Sequence, residues 1–212
     1  MGSLRVNKGH FVRAALEIGH NGENDTLPYD MDAVFIKEKS EDLAGICEEL
    51  FQNIENGKFG RPATFMNGLS IGSERLLVPS GSHGFRITAK IHPFWNLYLN
   101  GIGLAIAEAN EENRSTRVHS YRLEDKGPGF FDRSMSWRSY KQATLNEDIL
   151  NMEHAVVIQT DIANFYEHIY HHRLENAIED LAAEGSTVAL QIDRILSKLA
   201  AGRSFGLPVG GQ

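Results

Sequence analysis

The sequence predicts an α+β fold, and three patterns carry that prediction. Leu43, Ile46, Cys47, Leu50, Phe51 and Ile54 recur at helical spacing. Phe85, Ile87, Ala89 and Ile91 alternate with Arg86, Thr88 and Lys90, as in a half-buried strand. The elements follow the order α, ββ, α, irregular, α, β, α, α, which is not the regular βαβ alternation of a parallel α/β protein.

Taken in order, a first helical stretch covers Phe11 to Ile18, and a turn-rich segment runs from Gly19 to Asp32. The helix through Leu43–Ile54 stops at Gly57, a residue suited to the left-handed turn after a helix. Ser73–Pro79 and Gly84–Ile91 form two strands around a Pro-Ser-Gly-Ser turn. His92-Pro93 opens a long helix from Phe94 to Asn110, with an apolar face of Leu97, Ile102 and Ile106. Gly101 and Gly103 weaken that helix but admit a close neighbour. Gly127-Pro-Gly129 marks a turn, and Trp137–Leu150 is partly helical. Ala155–Thr160 has the composition of a fully buried strand and ends in Asp161. Two or three helices then run to about Ala201.

The 212 residues suffice for one large domain or two small ones. The single cysteine, Cys47, has no internal disulfide partner, which points to a reducing compartment such as the cytoplasm. It lies on an apolar helical face, where a buried, unreactive thiol is expected. No apolar run reaches the ~20 residues of a membrane span, and the N-terminus lacks the apolar core of a secretory signal. A net charge of −7 argues against a general polyanion binder but leaves local basic patches open. One such patch lies between Thr116 and Lys141, where Arg117, Arg122, Lys126, Arg133, Arg138 and Lys141 interleave with Tyr121, Phe130, Phe131, Trp137 and Tyr140. Cations for phosphates beside aromatics for bases compose a single-strand-binding surface. A loop anchored by its aromatics, with solvated charges, has the same composition.

Asp161 ends its strand, a position that presents a carboxylate on rigid backbone. That suits a magnesium ligand, and it equally suits the N-cap of a following helix. Arg86 on its strand has the planar fork that matches phosphate oxygens, and it could equally be solvated. His154, His168, His171 and His172 have no cysteine pair and fit no common zinc spacing.

Thr160-Asp161-Ile-Ala-Asn-Phe-Tyr166-Glu-His-Ile169 resembles motif A of reverse transcriptases, and Gly206-Leu-Pro-Val-Gly210 resembles the start of their motif B. Leu76–Arg86 looks like the fingers hairpin of that family, although Ser80 stands where many relatives carry lysine, leaving Lys90 or another cation to substitute. Ser120-Tyr121-Arg122 followed by a tryptophan resembles the defence-associated and abortive-infection members. The resemblance implies a right-hand polymerase fold with residues 1–60 as an N-terminal helical segment, 61–150 as fingers and 151–212 as partial palm. Asp161 would bind the catalytic metal, and Ile162 would lend its carbonyl to a second ion. Magnesium is the implied cofactor, with manganese as a substitute. Arg86, Asn164, Phe165, Tyr166, Pro208 and Gly210 would contact the nucleotide, with Tyr166 excluding a 2′-hydroxyl. Arg117, Tyr121, Arg122, Arg138 and Lys141 would contact nucleic acid. The implied partners are an RNA template or structured non-coding RNA, deoxynucleotides, the DNA product and a homo-oligomer, with no membrane.

The family's Tyr-x-Asp-Asp element does not occur in these 212 residues, and Asp193 lies upstream of motif B. The expectation is therefore that this polypeptide alone does not polymerise. Two other readings stand beside it. One is a non-catalytic RNA-binding or assembly module with a polymerase-like fold. The other is a template-independent or protein-primed nucleotidyl transferase.

Overall fold

A computed structural model describes residues 4–21, 31–80, 84–124 and 129–208. The architecture is α+β: helices dominate, and among the described residues the sheet is a single antiparallel pair. Among the described residues the helices are α1 (Lys8–Asn21), α2 (Met31–Glu38), α3 (Ser40–Glu55), α4 (Pro62–Gly68), α5 (Pro93–Asn110), α6 (Trp137–Leu145), α7 (His171–Glu179) and α8 (Val188–Leu199). The strands are β1 (Ser73–Ser80) and β2 (Gly84–Ile91), with Ser73 opposite Ile91 and Ser80 opposite Gly84. No described helix is long and apolar enough to cross a membrane.

α5 is the axis of the core. Trp95, Leu97, Tyr98, Gly101, Ile102, Leu104 and Ala105 are all buried along it. His92 supplies its N-terminal cap, accepting from the Phe94 N–H, and Pro93 occupies the first turn, where a missing N–H costs nothing. α1 packs on α5 through Phe11, whose ring stacks on Tyr98 at 5.7 Å between centroids. That approach requires glycine at 101, because a Cβ there would lie 2.2 Å from Phe11 Cδ1. Across the same helix the Tyr98 hydroxyl donates to Gln191 Oε1 of α8 at 2.5 Å, satisfying two buried polar groups at once.

α3 covers α1 with Ala44, Cys47, Phe51 and Ile54. It ends before Gly57, whose φ of +64° confirms the expected left-handed stop. At that end the Glu55 carboxylate accepts from the Thr187 N–H at 2.8 Å and from the Thr187 hydroxyl, placing negative charge at the N-terminus of α8. Lys198 reaches back to the carbonyls of Asn67 and Leu69 and so closes the C-terminal end of α4.

Three sequence expectations need correction. Ala155–Thr160 forms no strand; Val156 is 82% exposed and Ile158 81% exposed. A doubly buried strand needs neighbours for its backbone donors and acceptors, and the described sheet contains only β1 and β2. The alternation in β2 is read in the wrong sense over most of its length. Phe85 and Ile87 face solvent while Thr88 is 1% exposed, because the covered face of the ribbon is the one that Thr88 shares with the half-buried Leu76 and Val78. Finally, α2 and α4 form where the sequence carries no clear helical periodicity; both are short, and α4 starts on Pro62 with only Met66 fully buried. The tip of the β1–β2 turn and Gly127-Pro128 lie outside the described residues.

Two glycines two residues apart, on different faces of α5, allow a paired test. Gly101→Ala should destabilise the fold by about 1–3 kcal/mol through overpacking against Phe11. Gly103→Ala meets nothing within 4 Å and should stabilise α5 by about 0.5–1 kcal/mol. Urea denaturation of the two variants checks the opposite signs.

Burial pushes the Cys47 thiol up from 9.0 to about 12. Both folded and unfolded chains hold the thiol proton below pH 9, so its stabilisation is intact there. It is lost as pH rises toward 12, where only the unfolded chain ionises readily. A thiol reagent should therefore leave Cys47 unmodified at pH 8 in the native protein and modify it at the rate of global unfolding.

Candidate functional site

The segment after the predicted strand turns sharply. Asn164 takes a left-handed conformation (φ 51°, ψ 40°), which asparagine tolerates better than most residues. Its carbonyl accepts from the Glu167 N–H at 2.9 Å and starts a single 3-10 turn, Phe165–His168. α7 begins only at His171, so His168 and His171 do not share a continuous helical face: His168 is exposed and His171 is buried.

This turn is bound to the loop some 40 residues downstream. Leu207 N–H donates to Tyr166 O (2.8 Å), Gly206 N–H to Ile169 O (2.9 Å) and His171 N–H to Ser204 O (3.0 Å), with Tyr170 and Phe205 bridged antiparallel. The His171 ring completes the joint. Its Nε2 lies 2.7 Å from Gly206 O, and since a carbonyl only accepts, Nε2 carries the proton. Gly206 has φ +92°, a conformation that L side chains resist. The structure thus brings together the two stretches that the sequence singles out, and Pro208 lines a cleft against the β1–β2 hairpin.

Asp161 stands apart from this joint. Its carboxylate is exposed and accepts only the neighbouring Ile162 N–H at 2.9 Å. It does not cap a helix either: the next turn is preceded by Asn164, which makes no side-chain cap. Ile162 is exposed as well. Among the described residues no group of three or more His, Cys, Asp or Glu is placed to hold a metal ion. Gly210 and the Arg86 side chain lie outside the described residues; the Arg86 backbone pairs with Val78.

The basic-aromatic region divides into two parts. Arg122 is held by the protein: its Nε lies 2.6 Å from Glu111 and its Nη1 donates to Ser115 O at 3.1 Å. Arg114 binds the same Glu111 and donates to the carbonyls of Ser120 and Tyr121. These bonds hold Tyr121 in its left-handed conformation (φ 52°). The exposed part is α6, capped by a reciprocal Ser136–Ser139 box. Trp137 and Tyr140 stack at 5.2 Å and 25°, Lys141 lies 5.7 Å over the Trp137 ring, and Arg138 and Arg117 are exposed beside them.

One contact connects these regions. The Tyr166 phenol is raised above its ordinary pKa of 10.0, first by interaction with the neighbouring Tyr121 hydroxyl, then by partial burial, then by the Coulombic effect of Tyr121. Two positioning residues left no signature in the sequence. Arg13 of α1 donates Nη2 to Glu124 O and to Gly129 O, and Glu17 accepts the Phe130 N–H at 3.0 Å. Together they seat the loop that carries Tyr121. An arginine and a glutamate on an amphipathic helix read as solvated charges, so only the tertiary contact reveals them.

No protein-family model, curated protein or solved structure matches this chain.

The Tyr121–Tyr166 contact predicts a pH effect. The Tyr121 environment favours neutral Tyr166, so its contribution to stability is present below pH 10 and fades as pH rises above it toward the raised value. Tyr121→Phe should return the Tyr166 titration toward its ordinary value in an ultraviolet pH titration, and Tyr166→Phe should remove that transition.

Proposed function

We propose that the chain is the fingers and part of the palm of a reverse-transcriptase-like polymerase, acting in RNA-templated DNA synthesis in antiphage defence. The observation that supports this reading is the backbone joint between Tyr166–His171 and Ser204–Leu207. It sets the two motif-like stretches side by side and holds Tyr166 and Pro208 near the hairpin cleft. Tyr166 is the proposed sugar gate, with its ring oriented by Tyr121. Asp161 is the proposed metal ligand, exposed and free to meet phosphate-bound magnesium. The described residues do not make a resident two-ion site, because Asp161 has no cluster of further ligands beside it.

The exposed face of α6 favours a second reading, a nucleic-acid-binding module without chemistry. Its stacked Trp137 and Tyr140, flanked by Arg138 and Lys141, offer ring faces for bases and cations for phosphates.

Photocrosslinking of an azido-deoxynucleotide in the presence of magnesium separates the two. The polymerase reading expects crosslinking near Tyr166 that falls with Asp161→Ala, and a preference over the ribonucleotide that is lost with Tyr166→Ala. Equal labelling by both nucleotides, unaffected by Asp161→Ala, would reject it. Trp137→Ala should weaken single-stranded RNA binding about fivefold or more, as expected for loss of one stacking platform.

A further inference from the structure

Between the 114–119 loop and α6 lies a cavity of about 520 Å³, within the range of roughly 300–1,000 Å³ that small ligands occupy. Tyr140, Ala143, Thr144 and Glu147 wall one side. They follow one another at the spacing of a single helical face, the last of them just past the C-cap Asn146. Arg117 and His119 wall the other side.

Both walls are held in place. In the loop, Ser115 O accepts from the Val118 N–H at 3.1 Å and Ser115 Oγ from the Arg117 N–H at 3.2 Å. At the end of α6, Glu147 N–H donates to Thr144 O at 3.3 Å, and Glu147 O accepts from the Leu150 N–H at 3.0 Å. His119 joins the two walls, with Nδ1 3.2 Å from Ser139 Oγ. The Ser139 hydroxyl donates its own proton to Ser136 O at 2.8 Å and accepts the Ser136 N–H at 2.8 Å. It can therefore only accept from His119, so Nδ1 carries the ring proton and Nε2 is left as an acceptor. The same accounting rules out His119 as a base activating Ser139.

The charged groups define the ligand. Arg117 Nη2 and Glu147 Oε1 are 3.9 Å apart, at the limit of an ion pair, and their side chains are 84% and 49% exposed. Such a pair contributes little, so exchanging it for a ligand costs little. It presents a planar donor fork beside two acceptor oxygens. Among the RNA bases guanine alone answers both bidentately. Its N1–H and N2 amino group are adjacent donors for one carboxylate, and its O6 and N7 are adjacent acceptors for one guanidinium. Adenine and cytosine carry a single donor group on that edge, and uracil a single N–H between two carbonyls. Tyr140, stacked on Trp137, joins the cavity to the exposed aromatic face of α6.

We propose that this cavity is a guanine-binding site, in which Glu147 reads N1–H and the N2 amino group and Arg117 reads O6 and N7. It deepens the second reading above, and rests on that reading where the guanine belongs to single-stranded RNA. A free guanine nucleotide presents the same edges.

Fluorescence anisotropy of the 212-residue chain tests it, with a short oligouridine and the same strand carrying one central guanosine, inosine or adenosine. Isothermal titration with guanosine monophosphate tests the free nucleotide. The guanosine strand should bind about tenfold tighter than oligouridine, the gain expected of a bidentate base contact. Inosine, which lacks the N2 amino group, and adenosine should fall toward the uridine level. Glu147→Gln should abolish the guanosine preference, because an amide offers one acceptor oxygen, and Arg117→Gln should lower it. Trp137→Ala should weaken every strand and keep the preference, which separates the cavity from the stacking platform. Guanosine monophosphate binding that is lost with Glu147→Gln, without RNA binding, assigns the guanine to a free nucleotide and overturns the nucleic-acid reading alone. RNA bound equally with guanosine or uridine, and no guanosine monophosphate bound, overturns the proposal while leaving that reading standing. A guanosine preference unaltered by Glu147→Gln, or binding of neither RNA nor guanosine monophosphate, also overturns the proposal. Arg117 and Glu147 are exposed, so both substitutions leave the core intact.

Discussion

The close approach of Phe11 to Gly101 is the constraint on which the rest of the arrangement depends. It sets the distance between α1 and α5, and both helices carry more than their own packing. Tyr98, three residues before Gly101, ties α5 to α8 through Gln191. Arg13 and Glu17 lie two and six residues along α1 from the contact and seat the loop that presents Tyr121. A larger residue at position 101 would push α1 outward, and the loop would move with it. The geometry around Tyr166 is thus set partly by the absence of one methyl group some way from it.

Helical periodicity was the most legible part of the fold. α1, α3 and α5 lie where their apolar spacing places them, because each buries a broad face against the others and the pattern records that burial. The hairpin was legible as an element but not in its orientation. Alternation shows that two faces differ; which one is covered depends on what packs there, and here it is the face of Thr88, Leu76 and Val78 rather than that of Phe85 and Ile87. Ala155–Thr160 shows the opposite limit. Its composition suits a buried strand, but a strand is stabilised by partners elsewhere in the chain, and none among the described residues pairs with it.

The site was legible as two separate stretches rather than as a joint. Proline and glycine at 206–208 announce a turn, and the turn is present. The residue that fixes it, His171, stood in the sequence only as one of several clustered histidines. Its ring binds a carbonyl 35 positions away, a relation without a local pattern. Arg122 shows the converse, since a basic residue among aromatics invites a nucleic-acid role while its guanidinium is held by Glu111.

The seating of the Tyr121 loop has a further consequence. Residues 121–124 and 129–131 are held to the body largely by polar contacts from Arg13, Glu17 and Arg114, with Phe130 as their buried apolar anchor. Such a segment has few apolar contacts resisting its opening, so it forms a cooperative unit of lower stability than the helical core. Because the Tyr166 phenol interacts with Tyr121, opening the loop also changes the surroundings of that ring. The orientation of Tyr166 is then governed by a local equilibrium that can shift while the three central helices stay folded.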